Sequence, residues 1–540
     1  MASYNGDSPN SEKDTARDLG NARQNQQVMT GPPEFAISSL WKAPVLNPLN
    51  RKSYTLCIFN LTSPHGRNFH LSWLCFFVAF LSWFAFPPLI PEAIKTDLKL
   101  TTAQIGNSNI VALCATLIVR LIVGPLVDRY GPRKVMASLL IIGAIPSGLA
   151  GTIHSASGLY TVRFFIGILG GTFVPCQAWT TLFFDKSIVG RANAFVGGWG
   201  NAGGGVTFIV MTNLYQSLRD RGMSNHKAWR ASFAIVPVPI LLSLAALALL
   251  FGTDCPAGKW SQRHEVPATA IAAARGHEFG SGTYDAGKKD VEGAGASVLA
   301  AGGESEKGAA VDAVEVDVAI NEPLTFKSGL KVASAPQTWL PAFSYFTTFG
   351  LELAVDANFI NILYAMYKSA PQKYSQVTCG YLTAVFGLLN FVTRPFGGYL
   401  GDMIYRKYGV PGKKYLTLGC AFINGALCLG LGLYIEKHYQ AKAPIHKPKV
   451  GTIMGLYVVF AIFNEVANGA NFAMVPHLNA YNNGVMSGQA IVGATGNFGG
   501  IIFAIIFRYI TAPLGKALWV SGILVMILNA ALVWIPVPQR

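Results

Sequence analysis

The sequence has little charge for its length. Of its 540 residues, 13% are Asp, Glu, Lys or Arg and 51% are hydrophobic, whereas an average soluble protein is about 25% charged. A soluble chain of this length would divide into several domains with charged surfaces, and too few charged side chains are present to cover them. The composition therefore excludes an ordinary soluble protein and indicates that most of the chain faces lipid.

The cysteines are too scattered to build a scaffold. No two of them form a C-x-x-C pair, which excludes a secreted disulfide-rich fold and a structural zinc site. Several lie inside apolar runs, where a free thiol behaves as a small hydrophobe. The eight positions are Cys57, Cys75, Cys114, Cys176, Cys255, Cys379, Cys420 and Cys428.

Enzyme motifs are also missing. The sequence contains no P-loop, no H-E-x-x-H zinc helix and no serine elbow, so we expect no enzyme activity, no cofactor and no metal. The net charge of +15 does not indicate nucleic-acid binding, because Lys and Arg are spread over tails and short loops without a basic helix face. In a membrane protein such an excess is typical of contact with anionic lipid headgroups.

What the sequence does have is a series of long apolar segments. About 20 residues span a bilayer as a helix, and a segment in lipid must satisfy its own backbone hydrogen bonds. Six segments within residues 71–252 and six within 337–540 predict an all-α membrane protein with twelve transmembrane helices in two six-helix bundles. The predicted bounds are 71–91, 104–127, 134–153, 157–180, 190–213, 230–252, 337–366, 378–401, 414–435, 451–476, 484–511 and 516–536.

Two polar regions flank the first bundle. Residues 1–70 are rich in Gly, Ser, Asn and Pro and hold no apolar run that resembles a cleavable signal, so we expect a non-translocated tail. Residues 253–336 contain the small-residue stretch Gly293–Glu304 and mix Asp, Glu and Lys without apolar periodicity. This second region is predicted to be a disordered linker between the bundles.

The two bundles share sequence patterns. The motif G-x-x-G-N-x-G-G occurs at residues 197–204 and again at 493–500, in the fifth segment of each bundle. In the second segments, Arg, Gly and Asp recur at four-residue intervals, as Arg120, Gly124 and Asp128 and as Arg394, Gly398 and Asp402. Duplicated halves related by a pseudo-twofold axis are typical of secondary transporters, which bind substrate at the midplane between the halves.

Arg120 and Arg394 lie deep in apolar segments. Arg120 precedes Asp128 by eight residues, or about 12 Å of helix. A guanidinium at that depth costs ~2.5–3.5 kcal/mol on insertion scales, so it must face the bundle interior and have a partner. We expect the pair to line a central cavity and to bind a planar oxyanion, such as nitrate or a carboxylate, which the planar fork of donors suits. The alternative is a structural role in which each Arg donates to helix carbonyls.

The glycine-rich motifs have a packing role and a second feature that packing does not explain. Small residues let helix backbones approach closely, which accounts for most of these glycines, Gly200 and Gly496 among them. A buried amide must be hydrogen-bonded, so Asn201 and Asn497 need partners. We expect both to contact the substrate, and the alternative is ordinary bonding to a neighbouring helix.

The loop after the second segment carries a cluster of charges. Asp128, at a helix end beside basic residues, can form a charge-relay clasp that stabilises one gate conformation, and the alternative is a solvated turn at the membrane interface. The loop residues concerned are Gly124, Asp128, Arg129, Gly131 and Arg133. The second bundle has a looser version made by Asp402, Arg406, Lys407, Lys413 and Lys414.

Carboxylates inside the apolar segments are few. Glu352 and Asp356 are four residues apart on the seventh segment and share a helix face, and Glu465 lies on the tenth. Each is a candidate for accepting a coupled proton. For Asp356 the alternative is a position near a helix end that faces water.

Taken together, the twelve segments and the loop 124–134 resemble the major facilitator superfamily. The paired glycine–asparagine motifs and the paired arginines resemble its nitrate/nitrite porter family, and the long linker resembles that of the fungal members. The resemblance covers about residues 71–536. It implies a proton-coupled, high-affinity importer of nitrate, with nitrite as a second substrate, in the plasma membrane with both termini and the linker in the cytoplasm.

The resemblance also implies site residues. In that family the paired arginines clamp the anion and the two signature asparagines lie close by. A Tyr and a Phe one turn apart on the seventh helix and a Phe of the first helix line the family pocket. The corresponding residues here are Arg120, Arg394, Asn201, Asn497, Tyr345, Phe349 and Phe80.

Energetics then set the expected mechanism. Two fixed positive charges without an adjacent carboxylate select anions but supply no driving force. Importing an anion against a negative-inside potential costs ~2.3 kcal/mol per charge per 100 mV, so at least one proton, and preferably two, must accompany it, with Glu352 as a candidate for the path. The rival hypotheses are a transporter of a carboxylate, phosphate or sugar, and a nitrate sensor that signals through its tail and linker.

Overall fold

Helices form every long element of the residues that the computed structural model describes. These residues are 36–46, 51–185, 188–262, 330, 332–369, 373–439, 447–478 and 487–539, with side chains from 491 onward in the last range. From Ser38 onward they belong to one unit. The predicted all-α class is confirmed.

The first bundle consists of six helical segments. They are α1 (Pro64–Asp97), α2 (Thr102–Tyr130), α3 (Pro132–Thr152), α4 (Ala156–Phe183), α5 (Val189–Asp220) and α6 (Asn225–Phe251). The second bundle also has six, which are α7 (Pro336–Tyr367), α8 (376–408), α9 (410–438), α10 (Val450–Leu478), α11 (Ser487–Tyr509) and α12 (Lys516–Leu532). Helix α8 contains a turn at residues 390–392, and α8 continues into α9 across a bend at Gly409, whose φ of 65° favours glycine.

Most of these segments are long and apolar enough to cross a membrane. Nine stretches of the described residues meet that criterion, and the 63-residue stretch of α8 and α9 counts once among them. Helix α12 is apolar but has 17 residues, and α5 is rich in glycine. Large apolar side chains are exposed on the outer helix faces, such as Leu121, Ile122, Leu250 and Phe422, where lipid would cover them.

The ends of α2 show why the sequence forms separate helices here. Thr101 and Gln104 form a capping box at its start, in which the Thr101 hydroxyl accepts from the Gln104 amide and the Gln104 side chain accepts from the Thr101 amide. Gly131 ends the helix with a φ of 86° and Pro132 opens α3. This turn is a physical reason for the predicted structural role of Gly131, because residues with a side chain rarely adopt a positive φ.

The predicted boundaries of the two polar regions differ from the observed ones. Helix α1 begins at Pro64, capped by the Ser63 hydroxyl, and so includes residues assigned to the tail. Ser53 exchanges backbone hydrogen bonds with Phe183 and Asp185 at the end of α4. The first ten residues of the predicted linker, 253–262, also pack on the first bundle, whereas 263–329 lie outside the described residues.

The two bundles contact each other along their length. Near the middle, a Cβ added to Gly205 of α5 would lie 2.7 Å from the Gly387 Cα of α8, so these backbones are in direct contact. We call the end at which α1 and α7 begin the terminal end, where the Arg191 Nε lies 3.3 Å from the Asp402 Oδ2. At the opposite end, the Glu92 amide donates to the Gln376 Oε1 at 2.8 Å.

Candidate anion site between the bundles

Arg120 is fully buried and bonds to both bundles. Its Nε donates to the Gly170 carbonyl of α4 at 2.9 Å, and its Nη1 donates across the interface to the Gly493 carbonyl of α11 at 2.8 Å. The guanidinium carbon lies 4.8 Å from the Phe173 ring centroid and 5.2 Å from that of Phe349. Two donors thus fit the alternative role of bonding helix carbonyls, but Nη2 has no hydrogen-bond partner within the described residues.

Arg394 approaches the same aromatic rings from the second bundle. Its Nη2 donates to the Tyr345 hydroxyl at 3.2 Å, and its Nη1 donates to the Asn390 Oδ1 at 3.4 Å. Its Nη1 also lies 3.6 Å from the Glu465 Oε2, in an ion pair that is almost fully buried. The expectation that neither arginine has an adjacent carboxylate is therefore wrong for Arg394. Helix α10 packs against α8 and places Glu465 beside Arg394, although the two residues are far apart in the sequence.

The first glycine of each motif faces the arginine of the other bundle. A Cβ on Gly493 would lie 3.4 Å from the Arg120 Nη1, and a Cβ on Gly197 would lie 3.5 Å from the Arg394 Nε. A larger residue at either position would contact the guanidinium. The repeated motif thus leaves room for one arginine on each side of the pseudo-twofold axis.

Four aromatic rings pack around the two guanidinium groups. The Tyr345 and Phe349 rings are stacked at 4.7 Å, and Tyr345 also packs against Phe173 at 6.0 Å and Phe472 at 4.8 Å. Phe173 and Phe472 contact each other edge to face at 5.1 Å. Ring faces next to a cation contribute favourable electrostatics in a dry site.

Phe173 and Phe472 are absent from the sequence-based site, although a signal for them exists. Both follow a glycine by three residues on equivalent helices, in Gly170-Gly-Thr-Phe173 and Gly469-Ala-Asn-Phe472. Comparison of the fourth and tenth segments would have found this spacing.

Phe80 and the second motif glycines complete the walls. The Phe80 ring lies 6.5 Å from that of Phe349, and the two residues occupy equivalent positions on α1 and α7. A Cβ on Gly200 would lie 2.7 Å from the Phe76 Cε1, and one on Gly496 would lie 2.8 Å from the Tyr345 Cε1. These glycines allow the aromatic rings to pack directly on the α5 and α11 backbones.

The signature asparagines are buried and incompletely bonded. Neither the amide nitrogen nor the oxygen of Asn201 has a hydrogen-bond partner within the described part of the chain. Asn497 donates to the Gly493 carbonyl at 3.0 Å, while its Oδ1 has no such partner. Buried polar atoms without a protein partner are rare, so both asparagines keep polar atoms that can bond a ligand.

The three predicted carboxylates lie together in the second bundle. Glu352 accepts from Asn390 at 3.3 Å and from Asn468 at 3.1 Å, and Asn464 donates to Glu465 at 3.0 Å. Asparagine side chains therefore connect Glu352 to Glu465 and, through Asn390, to Arg394. Asp356 is buried in the middle of α7, which contradicts the alternative of a helix end facing water.

The predicted gate residues lie at the terminal end. Asp402 accepts from the Arg191 backbone amide at 3.0 Å and from the Lys413 Nζ at 3.0 Å, so one carboxylate joins α5 of the first bundle to α8 and α9 of the second. Gly124 is buried in α2, and the Arg129 guanidinium lies over the Tyr130 ring.

The first bundle closes its own version of this loop with the start of the predicted linker. The Arg133 Nε lies 3.4 Å from the Asp254 Oδ2, and the Trp260 indole donates to the Asp128 carbonyl at 2.7 Å. Burial raises the pKa of Asp254, and the nearby Arg133 opposes this shift.

We expect Asp402→Asn to weaken the terminal end. The change removes the ion pair with Arg191 and leaves the buried Lys413 without its carboxylate, and breaking a buried pair typically destabilises by ~3–5 kcal/mol. Thermal unfolding of the purified protein should shift accordingly. Arg406→Gln changes an exposed charge one turn away and should shift stability by less than ~0.5 kcal/mol. Equal stability of the two variants would contradict this role of Asp402.

Comparisons with known proteins agree with the fold. Residues 72–435 match the family model described as Major Facilitator Superfamily. A crystal structure titled as a bacterial homologue of the human lysosomal transporter Spinster, inward-facing and unoccupied, superposes with a TM-score of 0.54 at 13% identity, covering 87% of this chain and 95% of that one. Fold and match define a membrane transporter of the major facilitator class.

Relatives narrow the class further. Nitrate transporter 2.1 of Chlamydomonas reinhardtii is 32% identical over 84% of this chain and 71% of its own length. High affinity nitrate transporter 2.5 of Arabidopsis thaliana is 31% identical over 84% and 76%, and Elsinochrome transporter 1 of Elsinoe fawcettii is 28% identical over 94% and 99%. The chain belongs to the nitrate/nitrite porter family of the major facilitator superfamily, whose members are transporters and not enzymes.

Proposed function

We propose that this chain carries nitrate, and nitrite, across the plasma membrane by alternating access, with the anion held between Arg120 and Arg394. The observation that carries the proposal is the meeting of two buried guanidinium groups, one from each bundle, at one aromatic cluster. The free Nη2 of Arg120 and the unpaired amide of Asn201 supply donors for an oxyanion. The names of the Chlamydomonas and Arabidopsis relatives support nitrate as the cargo.

Binding of an anion can shift the equilibrium between conformations of the two bundles. Two positive charges in a dry site repel each other, and a bridging anion replaces this repulsion with attraction to both bundles. A ligand shifts a conformational equilibrium only through contacts that differ between the states. Arg120 and Arg394 provide such contacts, because they belong to different bundles that also bond at each end, through Asp402 and through Gln376.

Proton coupling is proposed to run through the carboxylates of the second bundle. The Glu465 Oε2 lies 3.6 Å from the Arg394 Nη1 and so competes with an incoming anion for that guanidinium. A proton on Glu465 would release Arg394 for nitrate, and its loss would restore the ion pair. Proton and nitrate would therefore bind together. In the proposed orientation, both termini and the linker lie in the cytoplasm.

Reconstituted uptake tests the cargo and the coupling. We expect proteoliposomes to accumulate labelled nitrate when the outside is acidic, with little accumulation after the pH gradient is collapsed. Nitrite should compete, whereas phosphate and acetate should not. Phosphate is tetrahedral, and acetate would turn a methyl group instead of an acceptor atom toward one of the two guanidinium groups. The competition experiment is needed because one relative is named for a different cargo, elsinochrome. Uptake that is insensitive to external pH would contradict the coupling, and competition by phosphate or acetate would contradict the cargo.

A further inference from the structure

A third arginine is buried outside the central site. Arg163 of α4 is 5% exposed, and its Nη1 donates to the Ser108 hydroxyl at 2.8 Å and to the Asn109 Oδ1 at 2.5 Å. Within the described ranges no carboxylate forms an ion pair with it. A buried guanidinium with only neutral partners keeps a positive charge that burial makes costly, and a bound anion would relieve that cost.

Arg163 and Asn109 line a small chamber between the bundles. The chamber has a volume of about 20 Å³, and its walls include Trp83 of α1 together with Leu353 and Ala357 of α7. The Asn109 Nδ2 is buried and has no hydrogen-bond partner within the described residues. A cavity of this size holds about one water molecule. The Asn109 Nδ2 is therefore a donor that a small occupant of the chamber could satisfy.

The chamber lies between the central site and the opposite end. Leu353 is one helical turn beyond Phe349 on α7, and Asn109 is 11 residues before Arg120 on α2, or about 16 Å of helix. The Leu353 side chain would lie 3.0 Å from a Cβ on Gly500, so the chamber also adjoins the second glycine motif. Arg163 therefore lies on the side of the arginine pair that faces the opposite end.

The internal repeat does not account for this arginine. The positions equivalent to Asn109 and Arg163 in the second bundle are Thr383 and Ile462. A clamp required by the shared fold would be expected in both halves. Arg163 therefore has a role that is specific to the first bundle.

We propose that Arg163 and Asn109 form a second anion site, at which nitrate is held between the opposite end and the Arg120–Arg394 pair. The inference rests on the proposed nitrate transport. Its present volume is that of about one water molecule, so the proposal requires the site to widen when the opposite end opens. Its positive charge concentrates anions at the entrance, an effect that raises association rates by ~10- to 1000-fold in charged clefts.

Initial uptake rates over a range of external nitrate concentrations test the proposal in proteoliposomes. Arg163→Gln should lower uptake at low nitrate by about tenfold, whereas Arg163→Lys keeps the charge and should stay within about threefold. The nitrate affinity of the central site, measured by equilibrium binding to the purified protein, should change less than about twofold in both variants because that site is intact, whereas Arg163→Gln should lose binding at the second site. The thermal midpoint of each variant reports whether it has folded.

A pair of charge-matched variants provides a second measurement. Asn109→Asp places a carboxylate beside Arg163 and should reduce uptake at low nitrate as much as Arg163→Gln does. Gln104→Glu adds the same charge to the same helix, where glutamate can keep the capping box with Thr101, and should leave uptake unchanged.

Two results would overturn the proposal. Equal losses in Arg163→Lys and Arg163→Gln, with a lower thermal midpoint, would show a structural clamp, and unchanged uptake in both would show no role in transport. The two proposals fail separately, because wild-type nitrate uptake by an Arg120 variant would refute the central site whatever Arg163 does.

Discussion

Lysine at position 120 or 394 is expected to reduce nitrate binding by about 10- to 100-fold, since each charge-assisted hydrogen bond contributes ~1.5–3 kcal/mol. Lysine keeps the positive charge but loses the fork of donors. At position 120 the fork holds Gly170 and Gly493 while leaving Nη2 for the anion, and one ammonium cannot replace three separate nitrogens. Equilibrium binding of labelled nitrate to purified protein, followed by uptake in proteoliposomes, measures both consequences.

The matched control for this pair is Arg406→Lys, which makes the same exchange at an exposed position of α8. It should bind and transport nitrate as the unaltered protein does. If both variants transport nitrate with unchanged affinity, the assignment of the site to these arginines is wrong.

Glu465→Gln is expected to separate nitrate binding from the proton gradient. Glutamine resembles the protonated acid and cannot hold Arg394 in an ion pair, so nitrate should bind more tightly at alkaline pH, by ~5- to 150-fold if the coupling is of ordinary size. Binding should no longer weaken as pH rises. Nitrate accumulation driven by an acidic exterior should fall by at least the same factor as the affinity rises. Exchange of internal for external nitrate should continue.

The groups that face Glu465 make this test specific. Glu352, linked through Asn464 and Asn468, and Arg394 are its charged neighbours, and Asp356 lies four residues from Glu352 on the same helix. Glu436→Gln neutralises a carboxylate near the end of α9, where the Trp519 indole donates to it, and serves as the control. Accumulation that stays coupled to the pH gradient in Glu465→Gln would show that the proton takes another path.

Periodicity and repetition determined most of the architecture in advance. Twelve segments follow from the length of apolar runs, because lipid forces any spanning segment to be helical. The pairing of Arg120 with Arg394 follows from the repeat, since a charge at that depth must face the interior and equivalent positions meet at the axis between the halves. The prediction places the start of α1 seven residues late because polar residues such as His65 and Asn68 precede the apolar run, although both are buried.

The tertiary structure decided which residues meet across the interface. The sequence by itself determined the membrane class, the two halves and the arginine pair, because each is written in local composition or in repeated spacing. Only the folded chain brings Glu465 to Arg394, Phe173 to Phe472, and Arg163 to the chamber beside α7. Arg394 and Glu465 lie on different helices of one bundle, and Phe173 and Phe472 lie on opposite bundles. The geometry of these contacts depends on helix crossing and rotation, which no single segment encodes.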